Sequence, residues 1–356
     1  MDLAICMASK IDDIDYIVRA EELGYTHAWV ADSQMIWSDP YAVLALAADK
    51  TSTINIGTGV SVAATRPAPV TAASIATINT IAPGRTFLGI GTGNTAMRIM
   101  GHKPMRIAEF DEYLSVLGPL LRGEEADFAW RGQVSPVRHI MPEAGFVSFS
   151  PQIPLYVSGF GPRSLGLAGR HGDGAVLSIP PDPAFMDKVW GSIERGAVEA
   201  GRDLDRDQYL TASLTTAVVL EDGEPTDSER VKRLCGAFAI ASLHYSYDQW
   251  RQQGRGPGPA LASIWDEYTE LLEQTPAEIR HQRIHRGHNC WVEPEEERFV
   301  TRELIEATCL VGTRDQLIGR LRALDEAGLD QVMILPPLEP RYEVLDQVGT
   351  EVLPYL

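Results

Sequence analysis

Short apolar runs alternate with amphipathic stretches along most of the chain, and the clearest repeat lies between Ile54 and Asn94. Ile54–Gly59 and Thr86–Gly91 are too short for helices and each ends in a glycine-rich turn, so both are predicted to be buried strands. Pro67 to Ile81 between them is helix-compatible and stops at Ala82-Pro83-Gly84, where proline disfavours helix in the residue before it and glycine permits a reversal. A crossover of this length joins parallel strands. It places the turns Gly57-Thr58-Gly59 and Gly91-Thr92-Gly93 on one carboxyl edge of the sheet, where glycine lets a ligand approach the backbone.

The same alternation runs through the rest of the chain. Leu3–Met7, His27–Ala31, Leu155–Ser158, Ala175–Ser178, Leu210–Leu220 and Val332–Leu335 are the other predicted strands. Helices are predicted over 12–23, 40–50, 107–121, 185–200, 313–327 and 342–353, with a further one ending near Arg170. Two excursions interrupt the pattern: a hairpin region at 123–150, and a helical insert at 221–310 rich in charge and aromatic residues. The insert is expected to cover a site, because long irregular connections in compact domains are usually functional or disordered. Eight buried strands separated by helices predict an α/β fold, a single (β/α)8 TIM barrel over 1–356 with a long helical insertion after strand 7. Working residues then lie on loops after the carboxyl ends of strands. An open doubly wound sheet with a second domain is the competing fold.

Composition narrows the function classes. The 356 residues are 44% hydrophobic, enough for a sizeable core, and 31 basic against 49 acidic residues leave a net charge of −18. That balance opposes a surface for nucleic acid or anionic lipid, so neither partner is expected. Cys6, Cys235, Cys290 and Cys309 are scattered without a CxxC pair, which fits a reducing compartment. The first residues lack a basic n-region and a long apolar core, and no 18-residue apolar run occurs, so the expectation is a cytoplasmic chain with no membrane span.

Several constellations carry candidate chemistry. Ser158-Gly159-Phe160-Gly161-Pro162-Arg163-Ser164 follows the fifth strand and sets free amides, an arginine and a hydroxyl at a helix start, a site for an anion such as phosphate. A tight βα turn with Arg163 in solvent fits the same spacing. Asp32-Ser33-Gln34, with Trp37 beyond, follows strand two and would bring a carboxylate, a hydroxyl, an amide and an indole to the mouth; a turn-capping Asp32 is the alternative. Gly89-Ile-Gly-Thr-Gly-Asn94 is not GxGxxG, and the downstream Glu109 and Asp111 sit in a helical stretch, which opposes a dinucleotide site. His281, His285, His288 and Cys290 have the residue types of a metal site but no adjacent carboxylate motif, and Arg280, Arg283 and Arg286 would oppose a cation. Structural or substrate-facing histidines are therefore expected, and no metal.

Trp29-Val-Ala-Asp-Ser-Gln34, Ile56-Gly-Thr-Gly-Val60 with Arg66-Pro67, Ala82-Pro-Gly-Arg85 leading to Leu88-Gly-Ile-Gly91, and Tyr156–Gly169 with Asp173-Gly174 span most of the chain in order. Gly287-His288 and Gly312-Thr313 with Gly328 extend the series. On these motifs the chain resembles the bacterial-luciferase-like flavin and deazaflavin oxidoreductases, in particular the branch related to methylenetetrahydromethanopterin reductase, which uses coenzyme F420. The resemblance implies a barrel whose mouth holds the cofactor ring, with a cis peptide at Gly59-Val60 behind it. It implies that Ser158, Gly159, Gly161, Pro162, Arg163 and Ser164 hold the cofactor phosphate. Asp32, Ser33, Gln34, Thr92, Gly93 and Asn94 would contact the ring and substrate side, and Trp37 would wall the substrate. Arg66 and Arg163 are candidates for the acidic tail of F420. In related sugar-phosphate dehydrogenases a histidine follows the aspartate and a glutamate ends the fourth-strand turn; Ser33 and Asn94 stand there instead, and neither is a competent acid or base near pH 7. The implied function is F420-dependent hydride transfer to or from a small organic substrate, in a chain that commonly pairs as a homodimer. An FMN-dependent monooxygenase using oxygen, and a non-catalytic flavin-binding barrel, are the alternatives.

Overall fold

A computed structural model describes residues 1–178 and 182–356. The chain begins with β1 (Asp2–Met7), α1 (Asp15–Leu23), β2 (His27–Val30) and α2 (Pro40–Lys50). It continues through β3 (Asn55–Val62), α3 (Ala68–Ile81), β4 (Thr86–Gly91), α4 (Asn94–Arg98) and α5 (Ile107–Leu121), then an antiparallel hairpin of β5 (Ala126–Trp130) and β6 (Gln133–Val137). Next come β7 (Leu155–Gly159), α6 (Pro162–His171), β8 (Gly174–Leu177), α7 (Met186–Glu199), β9 (Leu210–Thr215) and β10 (Ala217–Val219). The insertion carries α8 (Glu229–Gln253), α9 (Trp265–Glu273), α10 (Arg280–Ile284) and α11 (Arg302–Thr308), followed by β11 (Leu310–Gly312), α12 (Arg314–Glu326), β12 (Gln331–Ile334) and α13 (Arg341–Glu351).

Eight parallel strands close into a barrel in the order β1-β12-β9-β8-β7-β4-β3-β2, which excludes the open doubly wound sheet. Local chemistry sets the element ends as the sequence predicts. Asp39 accepts from the Tyr41 and Ala42 amides at the start of α2, where Pro40 occupies the first turn, and α1 stops at Gly24 with φ 91°. None of the described helices is long and apolar enough to cross a membrane.

Two strands differ from the sequence reading. β3 runs on to Val62 because a shift in its pairing with β4 between Thr58 and Ser61 lets the ladder resume at Ser61–Ile90. The predicted strand Leu210–Leu220 is two strands, of which only β9 belongs to the barrel. The Thr215 carbonyl accepts from Leu335 on the barrel side at 2.8 Å, whereas the next carbonyl, Thr216, accepts from Leu310 at 2.9 Å. From there β10 pairs with β11, so the two ends of the insertion are tied together by a small parallel ladder. The apolar run is continuous across this change of partner, so periodicity carries no mark of it.

The barrel interior is filled by Trp29, Phe87 and Tyr156, with ring centroids 4.4 Å apart for Trp29–Phe87 and 5.4 Å for Phe87–Tyr156. Space for them comes from glycine. A Cβ on Gly57 would lie 2.3 Å from the Phe87 ring, and one on Gly59 would lie 2.6 Å from Trp29 Cβ. A second apolar layer joins the barrel to its helices, through residues such as Ile5, Ile17, Leu44, Ile75, Leu114, Ile193 and Leu345.

Helices α6 and α7 approach most closely at glycines: a Cβ on Gly169 would sit 1.8 Å from the Ile193 carbonyl oxygen, and one on Gly196 would sit 1.9 Å from that of Gly166. Because backbone cannot yield as a side chain does, Gly169→Ala should lower the unfolding free energy by about 1–3 kcal/mol or more. Gly191→Ala on the same α7 meets nothing within 4 Å. It should raise stability by about 0.5–1 kcal/mol through helix propensity. Urea denaturation of the two variants checks the pair, and equal effects would contradict this account of the helix contact.

Candidate active site

A cavity of about 810 Å³, open mouth included, lies at the carboxyl ends of the barrel strands. Its lining includes Gly59, Val60 and Val62 of β3, Gly91 to Ala96 after β4, and Ser158 and Phe160 at the end of β7. The Gly59–Val60 peptide is cis, as the resemblance implied. Val60 lies against β4, where a Cβ on Gly91 would come within 3.0 Å of Val60 Cγ2 and 3.3 Å of Ser158 Cβ. This wall rests on the aromatic plug. The Trp29 indole donates to Gln331 Oε1 at 2.8 Å, and the same amide meets His27 Nδ1 at 2.8 Å, which fixes the plug's orientation.

Asp32 lines the cavity with only 6% of its surface exposed. Its Oδ2 accepts from the Arg66 guanidinium, from the Val62 amide at 3.2 Å and from Ser61 Oγ at 3.4 Å. Its Oδ1 makes no hydrogen bond among the described residues. Burial pushes the carboxyl above its ordinary range, while the Arg66 charge and the Val62 amide oppose the rise. Arg66 also pairs with Asp39 at 2.8 Å and packs over the Tyr41 ring. Its charge is therefore spent inside the protein, which removes it as a candidate for an acidic cofactor tail.

The turn after β7 divides its donors. Ser164 Oγ accepts the amides of Phe160 at 3.1 Å and Gly161 at 3.2 Å, so the Gly161 amide that the sequence left free is occupied. The Arg163 and Ser164 amides, in the first turn of α6, have no partner four residues back. The exposed Arg163 side chain has no acidic partner among the described residues. Gly159 is a packing glycine, since a Cβ there would lie 2.9 Å from the Leu165 nitrogen. The donor set left for the expected anion is thus narrower than predicted: two amides, one guanidinium and a helix end.

The insertion supplies a wall whose contacts motif reading missed. Tyr245 of α8, His288 and Asn289 line the cavity beside Asn94 and Thr95. Tyr245 Oη lies 2.7 Å from Thr95 Oγ1 and 3.3 Å from His288 Nε2. Asn94 Oδ1 accepts from Arg98 Nε at 2.6 Å. Trp37 stacks near His288 at 5.8 Å and donates its indole N–H toward Cys290 Sγ at 3.4 Å. Burial holds His288 well below the ordinary imidazole range, so the ring is neutral. The expected covering role of the insert, its aromatic residues and the Gly287-His288 motif pointed to this wall.

Other candidates lie elsewhere. Gln34 is turned away, donating to the Ala96 carbonyl at 2.9 Å, and is absent from the cavity lining. Its neighbour Ser33, with Thr92 and Gly93, does line it. Of the aromatic residues in the insert, Trp250 and Trp265 pack edge-on against each other at 5.9 Å, away from the lining. Glu109 bonds the Arg106 amide at the start of α5, and Asp111 pairs with Arg170 and His171, so neither serves a dinucleotide. His281 sits against Gly101.

A family model described as luciferase-like monooxygenase matches residues 11–331. The chain belongs to that family. A 5,10-methylenetetrahydromethanopterin reductase of Archaeoglobus fulgidus is 26% identical to this family member, over 98% of this chain and 96% of its own. An F420-dependent glucose-6-phosphate dehydrogenase of Nocardia farcinica is 30% identical over 54% of this chain and 60% of its own. Among solved structures, the coenzyme F420 dependent tetrahydromethanopterin reductase of Methanopyrus kandleri superposes with a TM-score of 0.70 at 23% identity, covering 99% of both chains, and shares the barrel fold.

Arg66→Met removes the charge that opposes the burial of Asp32. The Asp32 titration midpoint should then move further above the ordinary carboxylate range. Carboxyl ¹³C NMR of wild type and variant checks this, and an unmoved midpoint would contradict the Arg66–Asp32 coupling.

Proposed function

We propose that this protein is an F420-dependent oxidoreductase that moves a hydride between the cofactor and an unsaturated or alcohol carbon of a small organic substrate. The observation that carries the reading is the end-to-end likeness to methylenetetrahydromethanopterin reductases, in a chain whose barrel opens into a cavity at the carboxyl ends of its strands with Ser158 and Phe160 of the β7 turn in its lining. Glycines at 59, 91 and 93 support it by letting the cavity wall pack closely, since added side chains there would collide with Trp29, Val60 and Val62. Arg163, without an acidic partner among the described residues, and the first-turn amides of α6 support an anion-binding role for the turn at 161–164.

When bound, the deazaflavin donates or accepts the hydride at C5. The protein contributes placement, since alignment of donor and acceptor is where such a site gains most of its rate. Gly59 and Val60 form the wall behind the ring, and the amides of Arg163 and Ser164 with the Arg163 guanidinium hold the phosphate. Asp32 Oδ1, Ser33, Thr92, Gly93 and Asn94 orient the ring and the reacting carbon. Trp37, Tyr245 and His288 wall the substrate and exclude water. Ser33 and Asn94, which stand where the related sugar-phosphate dehydrogenases have a histidine and a glutamate, are not acids or bases near pH 7, so this reading favours a hydride moved without a strong base at those two positions.

The same reading takes 1–356 as one domain in a cytoplasmic homodimer. Trp130, Val134, Ile140 and Phe146 expose apolar surface on and beyond the β5–β6 hairpin, which a second copy would cover. Static light scattering should report twice the 39.1 kDa chain mass.

Equilibrium titration of the purified chain with F420 and with FMN tests the cofactor. Tight F420 binding is expected; tight FMN binding without F420 binding, accompanied by substrate-dependent oxygen uptake, would replace this reading with the monooxygenase. Arg163→Ala should weaken F420 binding by about 10–150-fold, the worth of about 1.5–3 kcal/mol in charge-assisted hydrogen bonds. Unchanged affinity would move the phosphate elsewhere.

A further inference from the structure

His244 of α8 and His285 and His288 after α10 meet inside the insertion, each buried to 4% exposure or less. Each ring offers a nitrogen within 4.8 Å of those of the other two. His244 does not appear in the sequence cluster of histidines, from which it is separated by about a tenth of the chain. His281, which does appear there, lies apart.

The hydrogen bonds sort the two nitrogens of each ring. His285 Nε2 lies 2.9 Å from Asp248 Oδ2, and His244 Nε2 lies 3.4 Å from Glu296 Oε2. A carboxylate beside Nε2 takes the N–H of a neutral imidazole and leaves the lone pair on Nδ1. His288 Nε2 lies 3.3 Å from Tyr245 Oη and 3.1 Å from the side-chain amide of Asn289, whose Oδ1 is itself buried and unpartnered. With that amide turned over, Oδ1 accepts from Nε2–H and the same tautomer results. The three Nδ1 atoms are buried and have no hydrogen-bond partner among the described residues. Three unsatisfied buried nitrogens on rings gathered into one cluster are a costly arrangement.

Both sequence objections to a metal are answered by the fold. The missing carboxylates arrive as Asp248, one helical turn beyond His244, and Glu296. The arginines are spent: Arg283 pairs with Glu295 and Glu296, Arg286 with Glu293, and Arg280 bonds the Thr275 carbonyl and Tyr247. Arg98 faces the cluster through Asp248 at 3.6 Å, which offsets its charge.

We propose that His244, His285 and His288 bind one divalent transition-metal ion of the zinc class through their Nδ1 atoms, with Asp248 and Glu296 holding the first two rings. Three imidazoles leave a fourth tetrahedral position for water. Bond lengths of about 2.0–2.1 Å place ligand nitrogens about 3.4 Å apart, closer than the 4.8 Å that bounds one nitrogen of each ring here, so binding draws the rings together. The ion ties α8 to the turn at 285–289, the two segments that bring Tyr245, His288 and Asn289 to the cavity.

The test uses untagged, chelator-stripped protein and Zn²⁺ alone, in competition with a chromophoric chelator. One equivalent should bind per chain, and Co²⁺ should give the visible d–d absorption of a low-coordinate nitrogen site. His285→Gln keeps an amide at the Nε2 position facing Asp248 but has no Nδ1. It should bind Zn²⁺ at least about 100-fold more weakly, since even the groups that orient ligating imidazoles contribute about 10–100-fold. Zn²⁺ should raise the Tm of wild type and leave that of the variant unmoved. Folded wild type that binds less than a tenth of an equivalent, or Zn²⁺ affinity that His285→Gln leaves intact, overturns the site. Should the variant fail to fold, wild-type stoichiometry and the Co²⁺ spectrum decide between these outcomes. No cofactor enters the readout, so the result stands apart from that of the F420 titration.

Discussion

The contact on which this structure depends is that between the glycine-bearing strand β3 and the aromatic plug of the barrel. Trp29, Phe87 and Tyr156 fill the interior only because Gly57, Gly59 and Gly89 present no side chain to them; a Cβ on Gly89 would lie 2.2 Å from the Thr58 carbonyl oxygen. The plug supports the cavity wall at Gly59 and Val60. A larger residue at these positions would push either the plug downward or the wall into the cavity, and close-packed interiors transmit such displacements. The floor of the candidate site is therefore set by packing beneath it, before any polar group is considered.

Charge is used mostly for positioning. Asp32 and Arg66 join the loop after β2 to the end of β3, and Asp39 and Tyr41 of the α2 start complete the network. A carboxylate anchored through one oxygen keeps the other for a ligand, while the donors on its first oxygen fix its angle. The insertion works similarly from the other side. Its ends are tied by β10 and β11, and its interior is held by Asp248, Glu296 and the histidines they contact. The neutral cavity that results suits a reaction governed by alignment of two carbon centres more than by proton transfer.

Much of this was legible in the chain. Runs such as Leu3–Met7 and Thr86–Gly91 were too apolar to face water and too short for helix, and a closed barrel of eight strands followed from their number and the helices between them. The turn at Ser158–Ser164 was recognisable as the start of a helix with free amides, because the glycine and proline there mark such a start locally. The motifs around Asp32, Gly59 and Gly91 located one half of the cavity for the same reason: their chemistry is local and adjacent in sequence.

The sequence by itself determined the barrel, the edge on which chemistry would lie and the residues on its β-strand side, because burial on both faces and turn geometry are properties of a few consecutive residues. Tertiary structure alone decided how those groups are employed. It spent Arg66 on Asp32, turned Gln34 away, gave two turn amides to Ser164, moved half a predicted strand out of the barrel, and brought His244 to His285 and His288. Each of these is a choice of partner between segments distant in the chain, and partner choice follows from distances that no periodicity encodes.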